Sequence, residues 1–217
     1  MDWKHYNDER TMRLYKLDYN DLTRVTGSYD MPIIEKDVFD IPKQWIGFNE
    51  VKTAKNTKCG VQMFLDDYQI ERIWKTPELY IDKLSQFECV LTPDYSLYTD
   101  MSIATQIYNT YRNRLIGQIL QDNAIRVIPT ISWAKPETFS FCFDGIEKGS
   151  MVAVSTIGVK KRKTTMEIWV AGMEEMIKRI QPTTILIYGE KVEFDFKGIN
   201  TVFVQNKVIE RLRKGKG

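Results

Sequence analysis

The feature that most constrains this chain is an alternation, running from Cys59 towards the C-terminus, of short continuously apolar segments with longer amphipathic ones. Residues 61–65 (VQMFL), 89–91 (CVL), 125–131 (IRVIPTI), 151–155 (MVAVS), 184–188 (TILIY) and 202–204 (VFV) are each too short for a helix. None shows the in–out alternation of a strand with one wet face. Such runs are what strands look like when both faces are covered, and that is the habit of parallel sheets flanked by helices.

The intervening segments supply the helices. Residues 68–75 read as one, and Thr76-Pro77-Glu78 reads as the start of another, with Thr76 as N-cap and Pro77 at the first helical position. A long helix is expected over 102–122, apolar at Ile103, Ile107, Tyr111, Leu115 and Ile119, and a further one over 164–180. Strand–helix–strand connections with right-handed crossovers predict an α/β fold of successive βα units on a mainly parallel sheet. Its form is an open twisted sheet or, the arrangement favoured here, a partial or complete (β/α) barrel. Both place functional groups at the carboxyl ends of the strands.

Before the alternation, residues 8–17 read as a helix. The stretch 27–50 reads as irregular, because Pro32 and Pro42 prevent a long helix. It also carries Ile33, Ile34, Phe39, Trp45 and Phe48, too much apolar surface for a free tail, so it is expected to wrap against the main body. The organisation predicted is an N-terminal helix and extension over 1–58, an α/β core over 59–206 and a basic helix and tail over 207–217.

Several chemistries are excluded by what the chain lacks. His5 is its single histidine, so histidine-rich metal sites are out, and a Ser-His-Asp or Cys-His set would have to recruit that terminal residue. The 3 cysteines, Cys59, Cys89 and Cys142, are odd in number and sit in or beside apolar segments, which predicts buried thiols. A net charge of +2 argues against binding nucleic acid by bulk charge. No apolar run approaches the ~18 residues of a spanning helix. The start MDWKH has no signal-peptide pattern, so no membrane association and a cytoplasmic location are expected.

The strand ends carry the chemistry. Asp66 and Asp67 follow the first apolar segment, and Asp94, Ser96 and Tyr98 follow the second. Ser132 and Trp133 follow the third, and Glu190 follows the fifth. Convergence of Asp66, Asp67 and Asp94, with Glu190 completing the set, would make an all-oxygen site for Mg²⁺ or Mn²⁺, or a carboxylate pair sharing acid and base roles. Each residue also has a plainer role: Asp66 and Asp67 as helix caps, the Thr92-Pro93-Asp94 string as a turn, Trp133 as a core aromatic. Arg112 and Arg114 on the long helix, and Lys160 and Lys161 before the last, are the candidates to neutralise phosphate, or else a solvated face. No glycine-rich dinucleotide or phosphate-loop motif occurs.

The strings FLDDYQIERIW, VLTPDYSLYTDM, QIYNTYRNR, VIPTISW, FCFDGI and VAVSTIGV, in this order between residues 64 and 159, resemble a family of domain-of-unknown-function proteins. Its members are encoded by phages, plasmids and integrative elements of Gram-positive bacteria. The resemblance implies a mobile-element protein of a bacterial cytoplasm and supplies no catalytic residues to carry over. Two functions are therefore expected. The first is a metal-dependent enzyme acting on nucleic acid or a nucleotide-like phosphate compound. The second is a non-enzymatic protein that engages a host protein or sequesters a signalling nucleotide, suggested by Tyr95, Tyr98, Tyr108, Tyr111 and Trp133. A carbohydrate-directed barrel enzyme using two carboxylates is a third, disfavoured by the mobile-element setting.

Overall fold

A computed structural model describes residues 9–204; His5 and the basic helix expected at 207–213 lie outside them. Helix α1 (Glu9–Tyr15) leads into a small antiparallel pair, β1 (Val25–Thr26) with β2 (Met31–Pro32). The main sheet then begins earlier than the apolar alternation suggests, with β3 (Trp45–Gly47) pairing in parallel with β4 (Gly60–Gln62). It continues through β5 (Cys89–Leu91) and β6 (Val127–Ile128). A second parallel ladder joins β7 (Met151–Ser155), β8 (Thr184–Tyr188) and β9 (Asn200–Val204). An isolated parallel bridge from Thr130 to Ala153 couples the two sheets. The strands thus neighbour one another in chain order.

That order puts the helices on one face. Val61, Val90 and Val127 point outward into a core built from α2 (Asp67–Lys75), α3 (Glu78–Leu84) and α4 (Ile103–Asp122). Val152, Val154, Ile185 and Ile187 point outward onto α5 (Lys163–Ile180), against Trp169, Met173 and Met176. The alternate residues form a third cluster on the opposite face, where Trp45, Cys89, Leu91, Ile128, Met151, Ala153, Leu186 and Tyr188 pack on one another and on Phe64. Phe64 stacks on Tyr188 with ring centroids 4.8 Å apart and planes 11° apart, joining the early half of the sheet to the late half. Strands covered on both faces explain the continuously apolar segments.

The complete barrel expected as one form of this fold is not found. Among the described residues no ladder joins β9 back to β3, so the strands do not close into a ring. Thr76 is not the cap of α3 either: its hydroxyl donates to the Arg72 carbonyl (3.3 Å) and so closes the helix before it. Ser102 does cap α4, accepting from the Thr105 N–H at 3.2 Å. Cys59, Cys89 and Cys142 are buried, as their setting predicts. Among the described residues no helix is long and apolar enough to cross a membrane.

Candidate functional site

Parallel register brings three successive strand ends side by side: the turn after β4, which enters α2 at Asp67, the segment after β5 with Asp94 and Ser96, and the segment after β6 with Ser132 and Trp133. They meet in a cleft of about 1990 Å³, also lined by Trp45, Tyr68, Tyr98, Trp169 and Tyr188.

Two carboxylates inside it are held by hydroxyls. Asp67 accepts from the Ser96 hydroxyl (2.9 Å) and the Ser96 N–H (3.2 Å), so it serves the neighbouring strand end as well as the first turn of its own helix. Asp94 accepts a hydrogen bond from the Ser132 hydroxyl. Asp94 is partly buried, and burial pushes its carboxyl up to about 7, against the opposing pull of the Ser132 hydrogen bond and with a smaller push from the negative charge of Asp67. A carboxyl poised there can give or take a proton near neutral pH. Asp66 also lines the cleft, but it is exposed and its side chain accepts only a long bond from Gln69 (3.4 Å).

The cationic candidates sit elsewhere. Arg112 is buried, ion-paired with Glu71 (2.7 Å), bonded to Asn109 (2.7 Å) and stacked 3.8 Å above the Tyr95 ring. Arg114 is 2% exposed, and its donors go to the carbonyls of Asp144 (2.8 Å), Cys142 (2.7 Å) and Thr130 (3.3 Å) and to the Asn113 side chain. Neither lines the cleft, so neither is placed to neutralise a phosphate there. Lys160 is exposed beyond β7 and outside the described lining, and Lys161 occupies the same helical turn. Glu190 follows β8, where its carbonyl accepts from Thr156 (2.7 Å), and it too is outside the described lining. Asp67, Asp94, Ser96, Tyr98, Ser132 and Trp133 do come together on one cleft, whereas Arg112, Arg114, Lys160 and Glu190 do not join them. Among the described residues no three Asp, Glu, His or Cys side chains are grouped to hold a metal.

Sequence reasoning passes over a buried polar layer beneath the site. Thr92, Asn109, Asn113 and Thr130 are all at least nine-tenths buried and hydrogen-bonded. The signal was available: Gln106, Asn109 or Thr110, and Asn113 recur at helical spacing, an uncharged polar stripe on a helix otherwise judged by its apolar positions.

Comparison with known proteins places the chain in a family. Residues 23–207 match the model of "Domain of unknown function (DUF4417)". The chain belongs to this family. Two relatives come from mycobacterial phages. One is the Gene 1 protein of Mycobacterium phage L5, 40% identical over 169 residues that cover 76% of this chain and 73% of that protein. The other is the Gene 1 protein of Mycobacterium phage D29, 42% identical over 167 residues, covering 76% of this chain but only 62% of that protein. No solved structure matches the chain. The family assignment agrees with the resemblance read from the strings between residues 64 and 159, and the phage relatives agree with the mobile-element origin it implied.

Proposed function

We propose that this phage-type protein is an enzyme whose reaction turns on proton transfer at Asp94, acting on a substrate that is neutral or cationic where it enters the cleft. The observation that carries the reading is the partly buried Asp94 carboxyl, poised at about 7 and hydrogen-bonded to Ser132, beside a second carboxylate in a large cleft at the strand ends. Asp94 would act as the general acid or base, Asp67 would sustain its proton affinity, and Ser132 would orient it. Trp133 and Tyr98 on the walls would offer flat apolar faces to the substrate.

Charge supports the substrate class. Among the described residues the lining carries Asp40, Glu50, Asp66, Asp67, Asp94 and Asp100 against Lys43. A nucleic acid or nucleotide would enter against that field unless Mg²⁺ or Mn²⁺ accompanied it, with Asp66 and Asp67 as the carboxylates nearest to hand. A panel of neutral oligosaccharides, basic peptides and oligonucleotides, each with and without Mg²⁺ or Mn²⁺, tests the reading. Turnover of a neutral or basic probe that Asp94→Asn abolishes while binding persists is the expected result. Metal-dependent turnover of oligonucleotides alone, indifferent to Asp94→Asn, would overturn it.

A second reading, a non-enzymatic binder of a host protein, draws support from the rim of the cleft. Tyr68, Tyr98 and Ile157 stand 76%, 60% and 48% exposed there, which is costly surface for a protein with no partner. Stoichiometric capture of one host protein, lost on Tyr68→Ala with Tyr98→Ala and accompanied by no turnover in the panel, would favour it.

A further inference from the structure

The two side chains at the centre of the candidate site come from different strand ends, which bond to each other directly only as far as Thr92 and Thr130. What holds them in register beyond that lies one layer below, on α4. The Asn113 side-chain amide donates to the Pro93 carbonyl (2.7 Å), the peptide oxygen immediately before Asp94. It also donates to the Thr130 carbonyl (3.2 Å), two residues before Ser132. Its oxygen accepts from the Thr92 hydroxyl (3.1 Å) and from Arg114. Asn113 therefore uses both amide hydrogens and both acceptor positions, the full capacity of the group.

Thr92 completes the clamp. Its hydroxyl accepts from the Thr130 N–H (2.7 Å), and its carbonyl accepts from the Thr130 hydroxyl (2.8 Å). Arg114 anchors the layer from behind through the Thr130, Cys142 and Asp144 carbonyls, which accounts for a buried guanidinium given no carboxylate hydrogen-bond partner in this network.

We infer that Asn113, with Thr92, is the positioning element of the site: it ties the ends of β5 and β6 together so that the Ser132 hydroxyl meets the Asp94 carboxyl. This rests on the acid–base reading above for what the pair does, and on the hydrogen bonds alone for how it is held. Losing the clamp lets Ser132 drift from Asp94 and removes the bond that opposes the burial of its charge, so the Asp94 proton is held more tightly.

The test is carboxyl-carbon NMR titration of the full chain labelled at aspartate, with the Asp94 signal identified by its loss in Asp94→Asn. Asn113→Leu and Thr92→Val are expected to raise the Asp94 midpoint by about 0.5–1 pH unit, while Thr92→Ser, which keeps the hydroxyl, leaves it within error. Loss of thermal stability with an unmoved Asp94 midpoint in Thr92→Val would make the layer merely structural and overturn the inference. If Asn113→Leu fails to fold, the Thr92→Val and Thr92→Ser pair decides alone. The inference and the functional reading fail separately: the first by these midpoints, the second by turnover that survives Asp94→Asn.

Discussion

Replacing Asp94 by asparagine should make the protein more stable at alkaline pH, and the amount follows from the site. In the folded chain burial raises the carboxyl from 3.8 to about 7. The folded state therefore keeps a proton that the unfolded chain has already lost between those values, and stability falls as pH rises through that window. At pH 5 the folded carboxyl is still protonated and the unfolded one mostly ionised, a penalty of roughly 1.7 kcal/mol; by pH 8 both are ionised and the penalty is roughly 4 kcal/mol. Wild type should thus lose about 2–3 kcal/mol more than Asp94→Asn on going from pH 5 to pH 8, worth about 5–10 °C in Tm for a chain of this size. Asparagine keeps an oxygen for the Ser132 hydroxyl, so the comparison isolates the charge. Denaturant unfolding of both proteins at the two pH values measures the difference, in which the other titrating groups cancel. Parallel pH dependences would show that Asp94 titrates like an ordinary carboxylate, and the argument for an acid–base site would go with it.

Other expectations concern the frame. A methyl group on Gly172 would sit 2.0 Å from the indole nitrogen of Trp133, so Gly172→Ala should displace that cleft wall, break its bond to the Ile168 carbonyl (3.1 Å) and lower stability by about 1–3 kcal/mol, read from tryptophan fluorescence and melting. Arg112→Met should cost about 1–2 kcal/mol in denaturant unfolding by removing the partner of Asn109 and of the one-third exposed Glu71, yet leave the Asp94 midpoint in place because Arg112 does not line the cleft. The three thiols should resist a disulfide reagent in the native protein and react fully once it is unfolded; all are buried, and burial pushes the Cys142 thiol up to about 12.

The sheet was readable because burial on both faces leaves a plain mark: MVAVS and TILIY were bounded as they occur, and the strand-end residues Asp67, Asp94, Ser96 and Ser132 were found by position alone. Trp45–Gly47 escaped notice because a three-residue strand beside Pro42 has no periodicity to detect, and its pairing with Gly60–Gln62 is a tertiary fact. Arg112 and Arg114 lie away from the cleft for a reason equally invisible in sequence. Sequence reports a charge but not its partner, and Glu71, Tyr95 and the Cys142 carbonyl lie far from Arg112 or Arg114 along the chain. The long helix misled in the same way: Ile103, expected on its apolar face, is 46% exposed, while Asn109 and Asn113 are buried.

The strand order also bears on how the molecule assembles. Each ladder of the main sheet joins strands that follow one another in the chain, so every new strand emerging from the ribosome can find its partner already in place. Short sequence separations make each step cheap in loop entropy, and folding can advance from the N-terminal side one unit at a time. The stack of Phe64 on Tyr188 breaks that pattern, since it spans almost the whole sheet and cannot form until β8 is in position. It is the latch on the process: a probe at Phe64 would report the docking of β8, and weakening the stack is expected to loosen the inner face.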